Sequence, residues 1–197
     1  MKIILLHGLY MHGIAMQPLC GRLEDVGHHV LNLSYNTVSP DLQKLFSEMD
    51  DFIEGEETAI VAHSMGGVIA RTYLEADSEM SHFVSKVVTL GTPHKGSQVA
   101  AFFKKVGIGD FMFQESSKYL IPENEPIWPK GSELYSIAGE LAIGPATVLN
   151  RGEPSDGTVL LEETKIDGMY SHEVFPLTHT ALIFAKRVTE RIEEILA

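Results

Sequence analysis

One stretch of the chain, residues 58–70, constrains the fold more than any other. It reads Thr-Ala-Ile-Val-Ala-His-Ser-Met-Gly-Gly-Val-Ile-Ala. Its first part is a short apolar run, which is typical of a buried strand, and the apolar residues after Ser64 recur at helical spacing. The stretch therefore predicts a strand, a sharp turn and a helix, with Ser64 at the turn. A chain built around such a unit is expected to be an α/β protein.

Ser64 has the surroundings of a reactive serine. A strained turn between a strand and a helix can hold a serine hydroxyl exposed at the end of a sheet, an arrangement known as the nucleophile elbow. Small residues two positions before and after the serine let neighbouring backbone approach, and here these are Ala62 and Gly66. The backbone N–H of Met65, at the helix start, would face a developing oxyanion. A serine that only caps a helix is the alternative interpretation of the same turn.

The composition narrows the classes of function and the compartment. The chain has 197 residues, which predicts a single domain over residues 1–197, and a formal net charge of −12, which disfavours nucleic acid as a partner. Its one cysteine, Cys20, cannot form an internal disulfide and fits a reducing compartment. The apolar run that begins at Ile3 is too short for a signal peptide, and no run of about 18 apolar residues follows. We therefore expect a cytoplasmic protein.

Apolar runs elsewhere in the chain predict further strands, with helices between them. The predicted strands cover residues 3–6, 29–33, 59–62, 86–90, 134–138 and 172–177. Helical spacing predicts a helix over residues 16–24, a second that begins with Ser39 as N-cap and Pro40 as first helical residue, and a final helix from Ala181. The alternation of strands and helices favours a parallel sheet, and its sites are expected at the carboxyl ends of the strands.

Two loops at that edge carry further candidate residues. His7-Gly8-Leu9-Tyr10 follows the first strand, where many serine hydrolases place a second oxyanion donor, and by position that donor would be the N–H of Leu9. The neighbouring Tyr10 is a candidate for substrate binding. The loop Gly91-Thr92-Pro93-His94-Lys95-Gly96-Ser97 follows the fourth strand. His94 is an alternative catalytic base, but a base is expected on a loop beyond the later strands.

The segment 99–130 has a different composition from the rest of the chain. It is rich in aromatic residues and is broken by glycines and prolines. A long insertion without a clear strand is often functional, and it predicts a small apolar flap over Ser64. Packing of the same rings against the edge of the sheet is the equally weighted alternative. The candidate substrate-binding residues here are Phe102, Phe103, Phe111 and Phe113.

An acid and a histidine follow in the last quarter of the chain. Asp156 lies in a turn, Ser-Asp-Gly-Thr-Val, before an apolar run, and His179 lies between the last predicted strand and the final helix. Asp167, which precedes that strand, and Asp110, in the aromatic segment, are weaker candidates for the acid. The chain order is thus serine, aspartate, histidine, which is the order of α/β-hydrolases.

Together these motifs resemble those of a small α/β-hydrolase of the lipase and esterase type with little or no cap. The resemblance covers nearly the whole chain, and the loop Gly-Thr-Pro-His-x-Gly-Ser is its most lipase-like part. It implies a three-layer fold with a mostly parallel sheet of about six strands, helices on both faces and no N-terminal hairpin strands. It also implies hydrolysis of a carboxylic ester by Ser64, Asp156 and His179, with the N–H groups of Leu9 and Met65 as oxyanion hole.

Other functions remain compatible with the same residues. A thioesterase or an acyltransferase would use the same triad, and a non-catalytic binding scaffold would retain the fold without the chemistry. A small-molecule or lipid ester is the expected substrate, and contact with a lipid surface is left open together with the oligomeric state. No organic cofactor is implied, and no histidine spacing or recognisable ligand set predicts a metal site.

Overall fold

A computed structural model describes residues 1–97, 101, 126–143 and 152–197 of the chain. Within them lies a six-stranded sheet in which every neighbouring pair of strands is parallel. The predicted sheet is therefore confirmed. Its strands are β1 (Lys2–Leu6), β2 (His29–Asn32), β3 (Thr58–His63), β4 (Val84–Leu90), β5 (Glu133–Gly139) and β6 (Ser171–Phe175).

The order of the strands across the sheet is β2-β1-β3-β4-β5-β6. The chain runs from β1 outward to β2 and then returns to the other side of β1 to form β3. The strand order thus reverses between β1 and β3, which is where open α/β sheets gather their ligands. The loop after β1 carries Leu9 and the turn after β3 carries Ser64, so both candidate residues flank this switch point.

The helices cover both faces of the sheet, as the sequence predicts. The described α-helices are α1 (Gln17–Asp25), α2 (Leu42–Ile53), α3 (Met65–Glu75), α4 (Ala181–Phe184) and α5 (Lys186–Leu196). Short 3₁₀ helices lie at Gly13–Met16, Met80–Phe83 and Leu161–Thr164.

Alternate residues of the strands divide the core into two apolar layers, because successive side chains of a strand point to opposite faces. Ile4 and Leu6 of β1 pack in the layer that contains the buried sides of α2 and α3. Ile3 and Leu5 pack in the other layer, against α1, α4 and α5. Burial on both faces explains why β1 and β3 are almost continuously apolar.

Several predicted boundaries are wrong by one or two residues, such as the start of β4 at Val84 rather than residue 86, and three differences have a clear physical reason. Helix α2 begins two residues later than predicted: Asp41 is its N-cap, and its carboxylate accepts a hydrogen bond from the N–H of Lys44 at 3.1 Å. Strand β6 ends at Phe175 and does not reach residue 177, since Pro176 follows and has no N–H to donate. The final helix is interrupted at Ala185, whose ψ of 120° is extended and separates α4 from α5.

No helix in the described part of the chain combines the length and the apolar character that spanning a membrane requires.

Candidate active site

Ser64 lies at a sharp turn between β3 and α3, as predicted. Its φ of 53° and ψ of −124° lie in a region that residues other than glycine rarely adopt. Two hydrogen bonds hold its backbone in place: its N–H donates to the carbonyl of Leu90 at 2.9 Å, and its carbonyl accepts from the hydroxyl of Thr92 at 2.9 Å. The strained turn is thus anchored to the end of β4 and to the loop that follows it.

Close backbone contacts explain the small residues around the serine. A Cβ atom at Gly66 would lie 2.5 Å from the carbonyl oxygen of Leu6, at the end of β1. A Cβ atom at Gly8 would lie 2.9 Å from the Cβ of Ser64. The loop after β1 therefore packs directly against the elbow, and Ala62, completely buried in β3, is accommodated where glycine is more usual.

Asp156 and His179 form a buried acid–base pair. The Nδ1–H of His179 donates to Oδ2 of Asp156 at 2.6 Å, and the backbone N–H of His179 donates to the carbonyl of the same aspartate at 2.9 Å. The other carboxylate oxygen accepts from the N–H groups of Thr158 and Val159 at 2.9 and 2.8 Å. These bonds fix the carboxylate, and the bond to Nδ1 leaves Nε2 of the imidazole as the nitrogen that can accept a proton.

Gly91 connects this pair to the serine. It follows Leu90, which holds the N–H of Ser64, and its φ is +60°. A Cβ atom at Gly91 would lie 2.9 Å from both Oδ2 of Asp156 and Nδ1 of His179. The end of β4 therefore contacts the elbow through Leu90 and the acid–base pair through Gly91, so Ser64 and the pair lie at the same edge of the sheet.

The loop after β1 is held by the loop after β2. The N–H of Tyr35 donates to Nε2 of His7 at 3.2 Å, so the hydrogen of this imidazole resides on Nδ1, which donates to the carbonyl of Gly8 at 3.1 Å. The Tyr35 hydroxyl donates to the carbonyl of His7 at 2.5 Å, and the two rings stack with their centroids 4.3 Å apart. Burial lowers the pKa of His7 and raises the pKa of Tyr35, so both rings are neutral.

The two N–H groups expected to bind an oxyanion make no hydrogen bond to another described residue. Met65 is the first residue of α3, where the N–H has no partner within the helix. Neither its N–H nor that of Leu9 donates to an acceptor within the described ranges. Leu9 itself is partly buried and packs on the apolar layer below. Their role as oxyanion donors stays a prediction.

Tyr10 adopts a φ of 57° and its N–H donates to the hydroxyl of Thr37 at 2.9 Å. Its side chain is 56% exposed and borders a cleft of about 570 Å³ between the loops after β1 and β2. Tyr10 thus lies in the candidate oxyanion loop, directly after Leu9. The other predicted substrate-binding residues, Phe102, Phe103, Phe111 and Phe113, lie outside the described residues, as does most of the predicted flap.

The alternative acids and the alternative base lie elsewhere. Asp167 is exposed, and its carbonyl accepts a hydrogen bond from Trp128 at 2.8 Å. His94 is buried, with Nε2 bonded to the Thr89 hydroxyl at 3.1 Å and its ring against Trp128. Burial is the main cause that lowers the pKa of His94 to about 3. Asp110 lies outside the described residues.

One residue at the site has no counterpart in the sequence-based analysis. The ring of His63, directly before Ser64, is buried and lies with its centroid 4.6 Å from that of His179. Burial, followed by the nearby His179, holds the pKa of His63 well below its usual range. The sequence shows that His63 precedes the serine. It does not show the contact of His63 with His179, which lies 116 positions further along the chain. Within the described part of the chain, no cluster of three or more metal-binding side chains occurs.

Comparison with known structures identifies the fold. The mature form of lipase BlEst2 from Bacillus licheniformis aligns with a TM-score of 0.76 and 20% identity, over 99% of this chain and 91% of the lipase. The product of the gene lin2722 from Listeria innocua aligns with a TM-score of 0.69 and 18% identity, over 100% and 93% of the two chains. The chain has the α/β-hydrolase fold. The resemblance inferred from the sequence is confirmed at this level.

Two further comparisons agree with the α/β-hydrolase fold. A metagenomic carboxyl esterase, MGS0156, aligns with a TM-score of 0.76 and 15% identity, over 91% of this chain and 64% of the esterase. Residues 27–112, which include the elbow, match the model of the family described as PGAP1-like alpha/beta domain. The search of curated proteins found no match.

Proposed function

We propose that this α/β-hydrolase cleaves carboxylic esters through an acyl-enzyme on Ser64. The observation that carries the proposal is the hydrogen bond of 2.6 Å between His179 and Asp156, both of them buried at the sheet edge that also bears the strained Ser64. A binding scaffold needs neither a buried acid–base pair nor a strained serine. The lipase and esterase names of the structural neighbours support the same class of substrate, a small-molecule or lipid ester.

In the proposed mechanism the Ser64 hydroxyl attacks the ester carbonyl and Nε2 of His179 takes its proton. Asp156 holds the hydrogen on Nδ1 and stabilises the imidazolium that forms. The N–H groups of Leu9 and Met65 bind the negative oxygen of the tetrahedral intermediate, each contributing roughly 3 kcal/mol. His179 then protonates the leaving alkoxide as the bond to the acyl carbon breaks, and a water molecule repeats the sequence on the acyl-enzyme.

The test is hydrolysis of p-nitrophenyl esters from acetate to palmitate by the wild-type chain and by Ser64→Ala. Ser85→Ala is the control, because Ser85 lies at the start of β4, on the opposite edge of the sheet, where its hydroxyl donates to Glu57. We expect activity in the wild type and the control and none in Ser64→Ala. Labelling of Ser64 by a fluorophosphonate probe reports the activated serine independently of the substrate.

Each result has a defined meaning. Labelling without ester hydrolysis would assign the same acyl-enzyme to thioesters or to acyl transfer. A folded wild-type chain that neither labels nor hydrolyses any ester or thioester would contradict the proposal and favour a binding scaffold. Ester hydrolysis that survives in Ser64→Ala would place the chemistry on another residue.

A further inference from the structure

His63 lies at the junction of three parts of the candidate site. It precedes Ser64 in the chain, so its backbone leads directly into the elbow. Its Nε2 lies 3.1 Å from the backbone carbonyl oxygen of His179, and the two imidazole rings are tilted by 52°. A Cβ atom at Gly8, in the loop that carries Leu9, would lie 2.9 Å from its Nδ1.

The tautomer of His63 follows from these neighbours. A carbonyl oxygen can only accept, so Nε2 of His63 must carry the hydrogen and donate it to His179. Nδ1 is buried and has no hydrogen-bond partner among the described residues. Protonation at Nδ1 would therefore bury both a charge and an unpaired N–H group, at a high cost in free energy. The ring is thus held neutral, with a single donor aimed at His179.

This donor acts on the backbone of the loop that bears the candidate base. The N–H of His179 is held by the carbonyl of Asp156 at 2.9 Å, and its carbonyl is held by His63 at 3.1 Å. Both backbone groups of the histidine are therefore anchored within the buried site. With Nδ1 also bound to Asp156, a rotation of the His179 ring away from the elbow would require breaking one of these bonds.

We propose that His63 is a positioning residue, whose Nε2–H holds the His179 loop so that the imidazole stays bonded to Asp156 and directed towards Ser64. The inference rests on the proposed function for its effect on turnover, but its effect on the Asp156–His179 bond does not require that function. A displacement of a catalytic group by about 1 Å can lower a rate by roughly 100-fold, so one hydrogen bond at this place has a measurable consequence.

Two amide substitutions separate the roles of the two ring nitrogens. The side-chain amide of His63→Gln can place an N–H donor near the position of Nε2, and that of His63→Asn reaches only as far as Nδ1. His63→Leu removes both nitrogens. His94→Leu is the control, because His94 is an equally buried histidine that bonds to Thr89 rather than to His179.

The first readout is the downfield proton NMR signal of the Nδ1–H that His179 donates to Asp156, which needs no substrate. We expect this signal in the wild type, in His63→Gln and in His94→Leu, and its loss or broadening in His63→Asn and His63→Leu. The second readout is ester hydrolysis. We expect kcat to fall by about 100-fold in His63→Leu with KM nearly unchanged, and to recover for the most part in His63→Gln.

A purely structural role for His63 would give another pattern. It would lower the melting temperature of His63→Leu as in His94→Leu and leave the NMR signal in place, and that result would overturn the proposal. Equal losses of signal in His63→Gln and His63→Leu would overturn it as well. If the wild type shows the signal but no ester hydrolysis, the proposed function fails while the positioning role is still decided by the NMR comparison.

Discussion

Asp156 and His179 are joined twice, once through their side chains at 2.6 Å and once through the backbone at 2.9 Å. The backbone bond fixes where the histidine lies, and the side-chain bond fixes which ring nitrogen carries the hydrogen. The position of the His179 backbone and the tautomer of its ring therefore both depend on Asp156.

The double connection makes Asp156→Asn an informative variant. An asparagine keeps the oxygen that accepts from Thr158 and Val159, so the turn should remain folded. Its amide N–H groups would face Nδ1 of His179 and stabilise the wrong tautomer. We expect kcat for ester hydrolysis to fall by about 10⁴-fold with an unchanged melting temperature. The control is Asp167→Asn, at an exposed position, and a large loss there without one at Asp156 would assign the acid to Asp167.

The contact between Tyr35 and His7 predicts an effect from outside the triad. Tyr35→Phe removes the hydroxyl that donates to the carbonyl of His7, next to the loop that carries Leu9. We expect a loss of about 1 kcal/mol in the free energy of unfolding. We also expect a fall in kcat smaller than the roughly 100-fold that removal of an oxyanion donor causes. Tyr135→Phe, whose hydroxyl donates to Glu133, is the control. Equal kinetics for the two variants would show that the Tyr35 bond does not support the loop.

The elbow tolerates no side chain at Gly66, where a Cβ would meet a backbone carbonyl at 2.5 Å. We expect Gly66→Ala to lower the free energy of unfolding by about 1–3 kcal/mol and to reduce labelling of Ser64. Gly21→Ala is the matched comparison, since Gly21 lies within α1 with nothing near its Cβ position. It should raise stability by about 0.5–1 kcal/mol. Urea unfolding measures both, and equal stability of the two variants would contradict the packing of β1 against the elbow.

The buried histidines predict a loss of stability in acid. The pKa of His94 is lowered to about 3, chiefly by burial, and that of His63 is held well below its usual range by the same cause. In the unfolded chain each histidine takes up a proton below about pH 6.5, whereas the native chain does not. The free energy of unfolding should therefore fall as the pH drops from about 6.5 towards 3, by about 1.4 kcal/mol per pH unit for each histidine.

Urea unfolding at several pH values between about 7 and 4.5 checks this slope. The glutamine of His94→Gln cannot titrate. The free energy of unfolding of this variant should therefore change less steeply with pH than that of the wild type, by the contribution of one histidine, even if the variant is less stable overall. A slope that His94→Gln leaves unchanged would mean that His94 is protonated in the native chain.

The apolar runs and the Gly-rich turn made the sheet predictable, because a strand buried on both faces must be apolar throughout. The boundaries were less predictable where several signals compete. Ser39, Pro40 and Asp41 are all acceptable near a helix start, and only the hydrogen bond that the Lys44 N–H donates to the Asp41 carboxylate decides between them. Strand β6 ends at Phe175 because Pro176 follows. The apolar residues continue past this proline, and the predicted strand was therefore too long.

The candidate site, like the fold, has features that the sequence predicts and features that it does not. The residue types and their chain order pointed to Ser64, Asp156 and His179, since the motifs around them are local. The contacts of His63 and Tyr35 were not predictable, because each depends on which distant backbone carbonyl the fold brings within reach. The roles of the phenylalanines between residues 102 and 113 stay predictions.

The order of the site along the chain bears on its biosynthesis. The loop with Leu9 and the elbow with Ser64 emerge from the ribosome before β6 and His179. Because β6 can pair only with a β5 that is already in place, the proposed base joins the serine after the sheet is nearly complete. On the proposed mechanism, a nascent chain thus carries an inert alcohol at Ser64, and only a chain translated past His179 can react with the esters around it.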